Sequence, residues 1–261
     1  MTNLPNILSK FKYFTLLLAI IFFASCHQSK IYISKIEGKK ISISNNLAQN
    51  EQIEAYVKPY RDHIDADLNT ILAYCPENLE KSKGIYQTNI GNFLADITLL
   101  KGNELFQKLE NKSIDICILN HGGIRSIIPK GNVTARNAFE VMPFENSAVV
   151  LTLKGSQIIE LSRYFIIERK PHPLAGITFE IEKGIAKNIL IQGKPIDNDK
   201  DYFIITSDYL SHGGDNMLFF KNATYKKDLN YKLRNIVIDY FKDVDTLVIN
   251  NDVRIRELPQ L

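Results

Sequence analysis

Residues 114–125 have the sequence IDICILNHGGIR, in which a short apolar run leads directly into a glycine pair. The run 114–119 is almost continuously apolar, which is typical of a strand inside a sheet that is covered on both faces. Gly122 and Gly123 follow it, so the chain turns sharply and its backbone can approach a ligand closely. Arg125 adds a planar cation suited to phosphate or carboxylate. The stretch predicts a buried strand that ends in an anion-binding loop, or a plain turn whose arginine pairs with a surface acid.

The rest of the chain mixes strand and helix patterns in irregular order. Short apolar runs bounded by turn residues predict strands at 148–153, 176–182, 185–191 and 202–206, with a hairpin at Glu182–Lys183–Gly184. Apolar residues at steps of three or four predict helices over 53–72 and about 90–100, a third from Ser156 and a fourth from Asp228. We expect Asn89 to cap the second helix and the apolar stripes to face the core. The fold class is therefore α+β, a single layered domain with a mixed sheet over residues 48–250.

Composition places the chain among ordinary folded proteins. It has 261 residues, of which 45% are hydrophobic and 23% charged, which excludes a disordered or fibrous protein. Lys and Arg total 32 against 29 acidic residues, a net charge of +3. This excess is too small to indicate a nucleic-acid partner.

The N-terminus has the pattern of an export signal. Lys10 and Lys12 precede an apolar run at 14–23, and the small residues before Cys26 resemble the lipobox of bacterial lipoproteins. We expect a signal peptide over 1–25 and lipidation of Cys26, with a plain signal peptide or an N-terminal anchor helix as alternatives. The prediction is a protein of the bacterial cell envelope, held to the membrane by its lipid on the periplasmic face of the outer membrane.

A short segment, 26–47, separates this signal from the domain. Apolar and polar residues alternate over 30–44, which predicts a hairpin or an edge strand, or otherwise a linker. Beyond Cys26 the chain has only Cys75 and Cys117, too few for a disulfide framework. Cys117 lies in the apolar run, so we expect a buried free thiol. No C-x-x-C spacing occurs in the sequence, so the cysteines do not suggest a structural zinc site.

Two further loops carry candidate binding residues. The first is VMPFEN at 141–146 and the second is SDYLSHGGD at 207–215. Phe144 and Tyr209 would ordinarily be core aromatics, but each lies at a loop edge where a flat ligand could stack. Asp215 offers oxygens that can accept hydrogen bonds from sugar hydroxyls.

In this order, the three loops resemble the C-terminal domain of the 5'-nucleotidase family, the substrate-binding half of nucleotide hydrolases. The resemblance covers roughly residues 50–245 and is carried by QTNIGN at 87–92, NHGGIR at 120–125, VMPFEN at 141–146, LTLKGSQI at 151–158 and SHGGDN at 211–216. It implies a nucleobase held between Phe144 and Tyr209. It also implies Asn120 and Arg125 near the phosphate, Asn146 on the base, Asp215 on the ribose hydroxyls, and close backbone approach at Gly122 and Gly123.

Two positions depart from the family pattern. His121 stands where the family usually has a third glycine, and Gly84 stands where it usually has an arginine. Lys83 or Lys81 can replace that arginine as a point charge. A lysine lacks the planar fork, so we expect the phosphate to be held more weakly or differently.

The ligand patterns of a metallophosphatase domain are missing from the sequence. Relatives hydrolyse phosphoesters with paired metal ions bound by Asp, His and Asn, whereas none of the five histidines here lies in such a pattern: His27, His63, His121, His172 and His212. We therefore expect no cofactor and no catalytic residue in this chain, and divalent metals on a separate metallophosphatase partner. Together the two chains would convert nucleoside 5'-phosphates to nucleoside and phosphate. The alternatives are a non-catalytic nucleoside- or nucleotide-binding lipoprotein, and a relic whose aromatic pair belongs to the core.

Overall fold

The structure is a computed structural model that describes residues 11–18, 32–44 and 47–259. Contacts within the chain divide it into two units, 1–51 and 52–261.

The first unit contains little regular structure among its described residues. Residues 11–18 are helical (α1), whereas 32–44 are exposed and form neither helix nor strand. The predicted hairpin or edge strand is therefore wrong for 32–44, because an alternating pattern forms a strand only where another strand pairs with its backbone. Cys26 and the predicted cleavage site lie outside the described residues. In the described ranges, no helix has the length and apolar character needed to cross a bilayer.

The second unit contains all the strands of the described residues. Its helices are α2 (Glu51–Asn69), α3 (Asn89–Glu110), α4 (Ala135–Val141), α5 (Gly155–Glu168), α6 (Asp208–Ser211) and α7 (Leu233–Asp243). Its strands are β1 (Ile71–Cys75), β2 (Ile116–Ile118), β3 (Gly131–Thr134), β4 (Ser147–Lys154), β5 (Leu174–Ala175), β6 (Ile177–Glu182), β7 (Ile185–Ile191), β8 (Lys194–Pro195), β9 (Asp201–Ser207), β10 (Tyr225–Lys232) and β11 (Ile255–Glu257).

A mixed five-stranded sheet with the order β10-β4-β9-β2-β5 forms the middle of this unit. β9 is its central strand, paired in parallel with β2 and antiparallel with β4. The apolar run 114–119 thus contributes an interior strand, as predicted, although β2 lies next to the edge strand β5. The α+β class and the mixed sheet are confirmed.

The sheet separates two hydrophobic cores, and this explains why its inner strands β4, β9 and β2 are apolar at most positions. Successive side chains of a strand point to opposite faces, so Ile116 and Ile118 enter one core and Cys117 the other. The core of Ile116 is completed by α5 and β6, and the core of Cys117 by α3 and α7. Cys117 is a buried free thiol, as the sequence predicts.

The predicted hairpin is confirmed at β6 and β7, which pair antiparallel with Glu182 opposite Ile185. Lys183 and Gly184 have φ values of 50° and 76°, the left-handed pair that a two-residue hairpin turn requires. These strands belong to a second sheet with the order β11-β6-β7-β8. Because β11 pairs with β6, the unit continues beyond residue 250.

Three details of the predicted helices are wrong. The apolar stripe of α2 is not a core face, since none of its residues is buried. Polar side chains of α2, Asp65 and Asn69, accept hydrogen bonds from Arg136 instead. The fourth helix begins at Leu233, because residues 228–232 extend β10 and its register places Asp228 opposite Val149. Finally, α3 is capped by Thr88 and not by Asn89.

The cap of α3 is Thr88, whose hydroxyl accepts a hydrogen bond from the Gly91 backbone N–H at 3.0 Å. Asn89 does not cap the helix. Its side-chain oxygen accepts from the backbone N–H groups of Glu80 at 2.9 Å and of Ile90 at 2.8 Å. This contact ties the segment before α3 to the helix start.

Candidate functional site

The topology of the central sheet brings the three candidate loops to one edge. β2 and β9 are parallel, so the loops that follow them, 120–125 and 207–215, begin on the same side. β4 runs antiparallel to β9 with Ala148 opposite Ser207, so the loop 141–146 that precedes β4 arrives there too. We call these three segments the site loops and number them in chain order: the first is 120–125, the second 141–146 and the third 207–215. Residues far apart in sequence therefore converge because of strand pairing.

A cavity of about 320 Å³ lies between the site loops. Its lining consists of the eight residues singled out from the sequence: Asn120, Gly122, Gly123, Arg125, Phe144, Asn146, Tyr209 and Asp215. The structure thus brings together every predicted binding residue. The role of each residue stays a prediction.

The two aromatic rings are presented at the surface of this cavity. Phe144 is 46% exposed and Tyr209 is 45% exposed, so neither is a core aromatic. The Arg125 guanidinium lies 5.8 Å from the centre of the Phe144 ring. Gly214 lies against the Tyr209 ring, because a Cβ there would come within 2.4 Å of a ring carbon. Each ring is therefore supported by its own neighbour and keeps an exposed side.

Asp215 is the centre of the polar contacts in the cavity. One carboxylate oxygen accepts from the Asn120 amide at 2.8 Å, and the other accepts from the Tyr209 hydroxyl at 2.9 Å. The Asp215 backbone N–H donates in turn to the Tyr209 oxygen at 3.2 Å. A carboxylate offers about four acceptor positions, so each oxygen keeps capacity for a ligand hydroxyl. These contacts also join the first site loop to the third.

The second site loop is held by the residues around the start of α7. The Leu233 backbone N–H donates to the Asn146 carbonyl at 3.0 Å, and Arg234 donates to the Pro143 carbonyl at 3.2 Å. Lys232 donates to the Glu145 carbonyl at 2.6 Å. The Asn146 carboxamide itself makes no hydrogen bond to any residue that the structure describes. It is therefore available to a ligand, while its backbone is fixed.

Positive charge gathers at the first site loop. Arg125 forms no ion pair within the described residues, which rules out the surface-acid pairing considered from the sequence, and it donates to the Gly122 carbonyl at 3.4 Å. The Lys81 ammonium donates to the Ile124 carbonyl at 2.6 Å, so it lies beside Arg125 in the chain fold. Lys83 instead pairs with Glu80 at 2.5 Å on the surface. Of the two lysines, Lys81 is the one that contacts the loop 120–125, although it does not line the cavity.

Gly84 cannot be replaced by the family's arginine on this backbone. Its φ is 115°, and a Cβ would come within 1.9 Å of the Gln87 carbonyl oxygen. Any side chain at this position is therefore excluded. The departure at residue 84 is built into the local fold.

Two residues behind the cavity escaped the sequence reasoning. His172 is only 2% exposed, and burial lowers its pKa to about 4. Tyr164 of α5 donates from its hydroxyl to the Asp215 carbonyl at 2.8 Å, and burial raises its pKa to about 12. His121, which replaces the third glycine, also has a lowered pKa, first because of burial and then because of Lys81. No local sequence signal links these residues, since their contacts span 51 positions of the chain.

Within residues 11–18, 32–44 and 47–259, no group of three or more His, Cys, Asp and Glu side chains is arranged to hold a metal ion.

Comparisons with known proteins agree on one family. The sequence profile described as "5'-nucleotidase, C-terminal domain" matches residues 73–222. A 5'-nucleotidase of Vibrio vulnificus is 24% identical over 192 residues, which is 69% of this chain and 32% of the relative. The chain thus spans about a third of the length of the curated relatives it matches.

Solved structures share the fold. The 5'-nucleotidase precursor of Thermus thermophilus superposes with a TM-score of 0.67 at 24% identity, covering 81% of this chain and 43% of that one. A sulfate thiohydrolase, SoxB, from the same genus superposes at 0.57 with 13% identity, covering 83% and 40%. Identities this low establish the architecture and name no substrate.

The support that Gly214 gives to Tyr209 can be tested without a ligand. Gly214→Ala puts a methyl group into the Tyr209 ring, so we expect the free energy of unfolding in urea to fall by about 1–3 kcal/mol. In a Tyr209→Ala background the same change should cost no more than about 0.5 kcal/mol, because the obstacle is gone. Equal costs in the two backgrounds would contradict the contact.

Proposed function

The chain belongs to the family of 5'-nucleotidase C-terminal domains, and from this membership we propose that its cavity binds nucleosides and nucleoside 5'-phosphates. The observation that carries the proposal is the pair of exposed rings, Phe144 and Tyr209, on one cavity with Asp215. Stacking of a base on an aromatic side chain contributes about 1–3 kcal/mol and tolerates different bases. In this proposal the base enters between the two rings.

In the same proposal, each polar residue of the cavity contacts a different part of the ligand. Asp215 accepts hydrogen bonds from the ribose hydroxyls through the capacity that Asn120 and Tyr209 leave on its carboxylate. Asn146 meets the edge of the base with its unpartnered carboxamide. Arg125 and Lys81 lie at the cationic end and attract the phosphate.

We further propose that hydrolysis of the bound nucleotide uses the metal ions of a separate metallophosphatase chain. In such enzymes the paired ions polarise the phosphate and activate a water molecule. The proposal is supported by the matched relatives named 5'-nucleotidase, which are about three times as long as the region they share with this chain. The chain described here binds and orients the nucleotide. No step of the chemistry is assigned to its own side chains.

The site of action in this proposal is the bacterial cell envelope. A lipid on Cys26 would keep the domain at the membrane, on the periplasmic side of the outer membrane. The support is the pattern of basic residues, apolar run and small residues before Cys26 in the sequence.

Replacing one ring tests the stacking. Phe144→Ala should weaken adenosine binding by roughly 5- to 100-fold in a calorimetric titration, because one of the two stacking faces is lost. Tyr56→Ala is the matched control, since Tyr56 is also an exposed ring but lies on α2. If Phe144→Ala binds adenosine as tightly as the unaltered protein does, the base does not stack on Phe144.

Variants of the two lysines test whether Lys81 attracts the phosphate of the ligand. Lys81→Met should weaken AMP binding by roughly 3- to 10-fold and leave adenosine binding nearly unchanged, because only AMP carries the anion. Lys83→Met should affect neither ligand, since Lys83 pairs with Glu80 away from the cavity. If both variants behave alike, Lys81 does not serve the phosphate.

Phosphate release tests the partnership. The purified chain with Mg²⁺ or Mn²⁺ and AMP should release no phosphate, whereas adding a metallophosphatase that co-purifies with it should restore turnover. Phe144→Ala in the reconstituted pair should then lower kcat/KM. Robust turnover by the isolated chain would refute the division of labour. Tight AMP binding without a partner that confers turnover would favour the non-catalytic binding lipoprotein.

A further inference from the structure

Behind the cavity, Tyr164 and His172 connect the first and third site loops without lining the cavity themselves. The His121 backbone N–H donates to Nδ1 of His172 at 3.2 Å. Nε2 of His172 lies 3.5 Å from the Tyr164 hydroxyl, which donates to the Asp215 carbonyl at 2.8 Å. The four residues thus form a continuous line of polar contacts across the floor of the site.

The direction of this line follows from the chemistry of its groups. A backbone N–H can only donate, so Nδ1 of His172 accepts and the neutral ring carries its hydrogen on Nε2. That hydrogen points at the Tyr164 oxygen, leaving the phenolic hydrogen for the Asp215 carbonyl. Burial keeps the pKa of His172 at about 4, so the ring is neutral near pH 7. The donor and the acceptor of every hydrogen bond in the line are therefore fixed.

The end of the line is a residue that needs support. Asp215 has φ 51° and ψ 30°, in the left-handed region, which Asp and Asn enter more readily than other side chains but still at a cost in strain. In this conformation its carboxylate turns toward Asn120 and Tyr209 while its carbonyl turns back toward Tyr164. Backbone in a sparsely populated region persists only where the surroundings hold it.

We propose that Tyr164 and His172 are positioning residues, which hold the Asp215 turn so that its carboxylate faces the sugar hydroxyls of the ligand. The inference deepens the proposed function and rests on it for the identity of the ligand. Neither residue touches the ligand. Both act through the backbone of the loops that do.

Removing the Tyr164 hydroxyl tests the claim on sugar recognition. Tyr164→Phe should weaken adenosine binding by roughly 3- to 10-fold and 2',3'-dideoxyadenosine binding by less than about twofold, because only adenosine offers hydroxyls to Asp215. Tyr231→Phe is the matched control, since it also loses a half-buried hydroxyl that donates to an acid, Asp239, outside the cavity. A merely structural role would weaken both ligands equally.

Two variants of His172 test the line without any ligand. His172→Asn keeps an acceptor near the position of Nδ1, whereas His172→Gln keeps a donor near Nε2 and loses that acceptor. We expect the His121 amide to exchange its hydrogen at least tenfold faster in the Gln variant and at an unaltered rate in the Asn variant. Nitrogen NMR of the unaltered protein should show the His172 hydrogen on Nε2.

The two experiments separate the failure of this inference from that of the proposed function. If adenosine does not bind the unaltered protein, the proposed function fails, and the exchange and tautomer measurements still decide whether the line exists. If adenosine binds and Tyr164→Phe weakens both nucleosides alike, the positioning role is overturned. A hydrogen on Nδ1 of His172, or unaltered His121 exchange in the Gln variant, overturns it independently.

Discussion

The pairing of β9 with β2 on one side and β4 on the other is the constraint on which the site depends. Parallel pairing with β2 fixes the loops after both strands at one edge, and antiparallel pairing with β4 brings the loop before that strand to the same place. A shift of one residue in either register would turn every side chain of a strand to the opposite core. Because side chains on both faces of the sheet are buried in a core, the register of the strands is fixed, and the positions at which the site loops begin and end are fixed with it.

The eight lining residues could be predicted because the three loops that carry them, taken in order, resemble a known family, whereas each loop by itself is ambiguous. The ends of α2 and α7 could not be predicted equally well, since local periodicity does not reveal which residues another strand pairs with. Residues 228–232 have apolar spacing compatible with a helix, but pairing with β4 places them in β10. Tyr164 and His172 were missed for the same reason. Their importance comes from long-range contacts that leave no local pattern.

The fold alone does not determine what enters the cavity. The same architecture occurs in a protein named as a sulfate thiohydrolase, so the argument for a nucleotide must come from the side chains of the site. The two half-exposed rings, Phe144 and Tyr209, offer flat apolar faces that a planar ligand could cover. They share one cavity with the carboxylate of Asp215 and the guanidinium of Arg125. This combination matches a base, a sugar and an anion in one molecule.

For the proposed nucleotide ligand, the distribution of hydrogen bonds predicts which part is recognised most strictly. Asp215 is held by Asn120, Tyr209 and Tyr164, so its carboxylate is in place before any ligand arrives. A preorganised acceptor favours a ligand that carries the matching hydroxyl over an analogue that lacks it. The base, by contrast, meets two ring faces and the single carboxamide of Asn146, which can turn to present either its donor or its acceptor. On the proposed function, we therefore expect the chain to discriminate more between sugars than between bases.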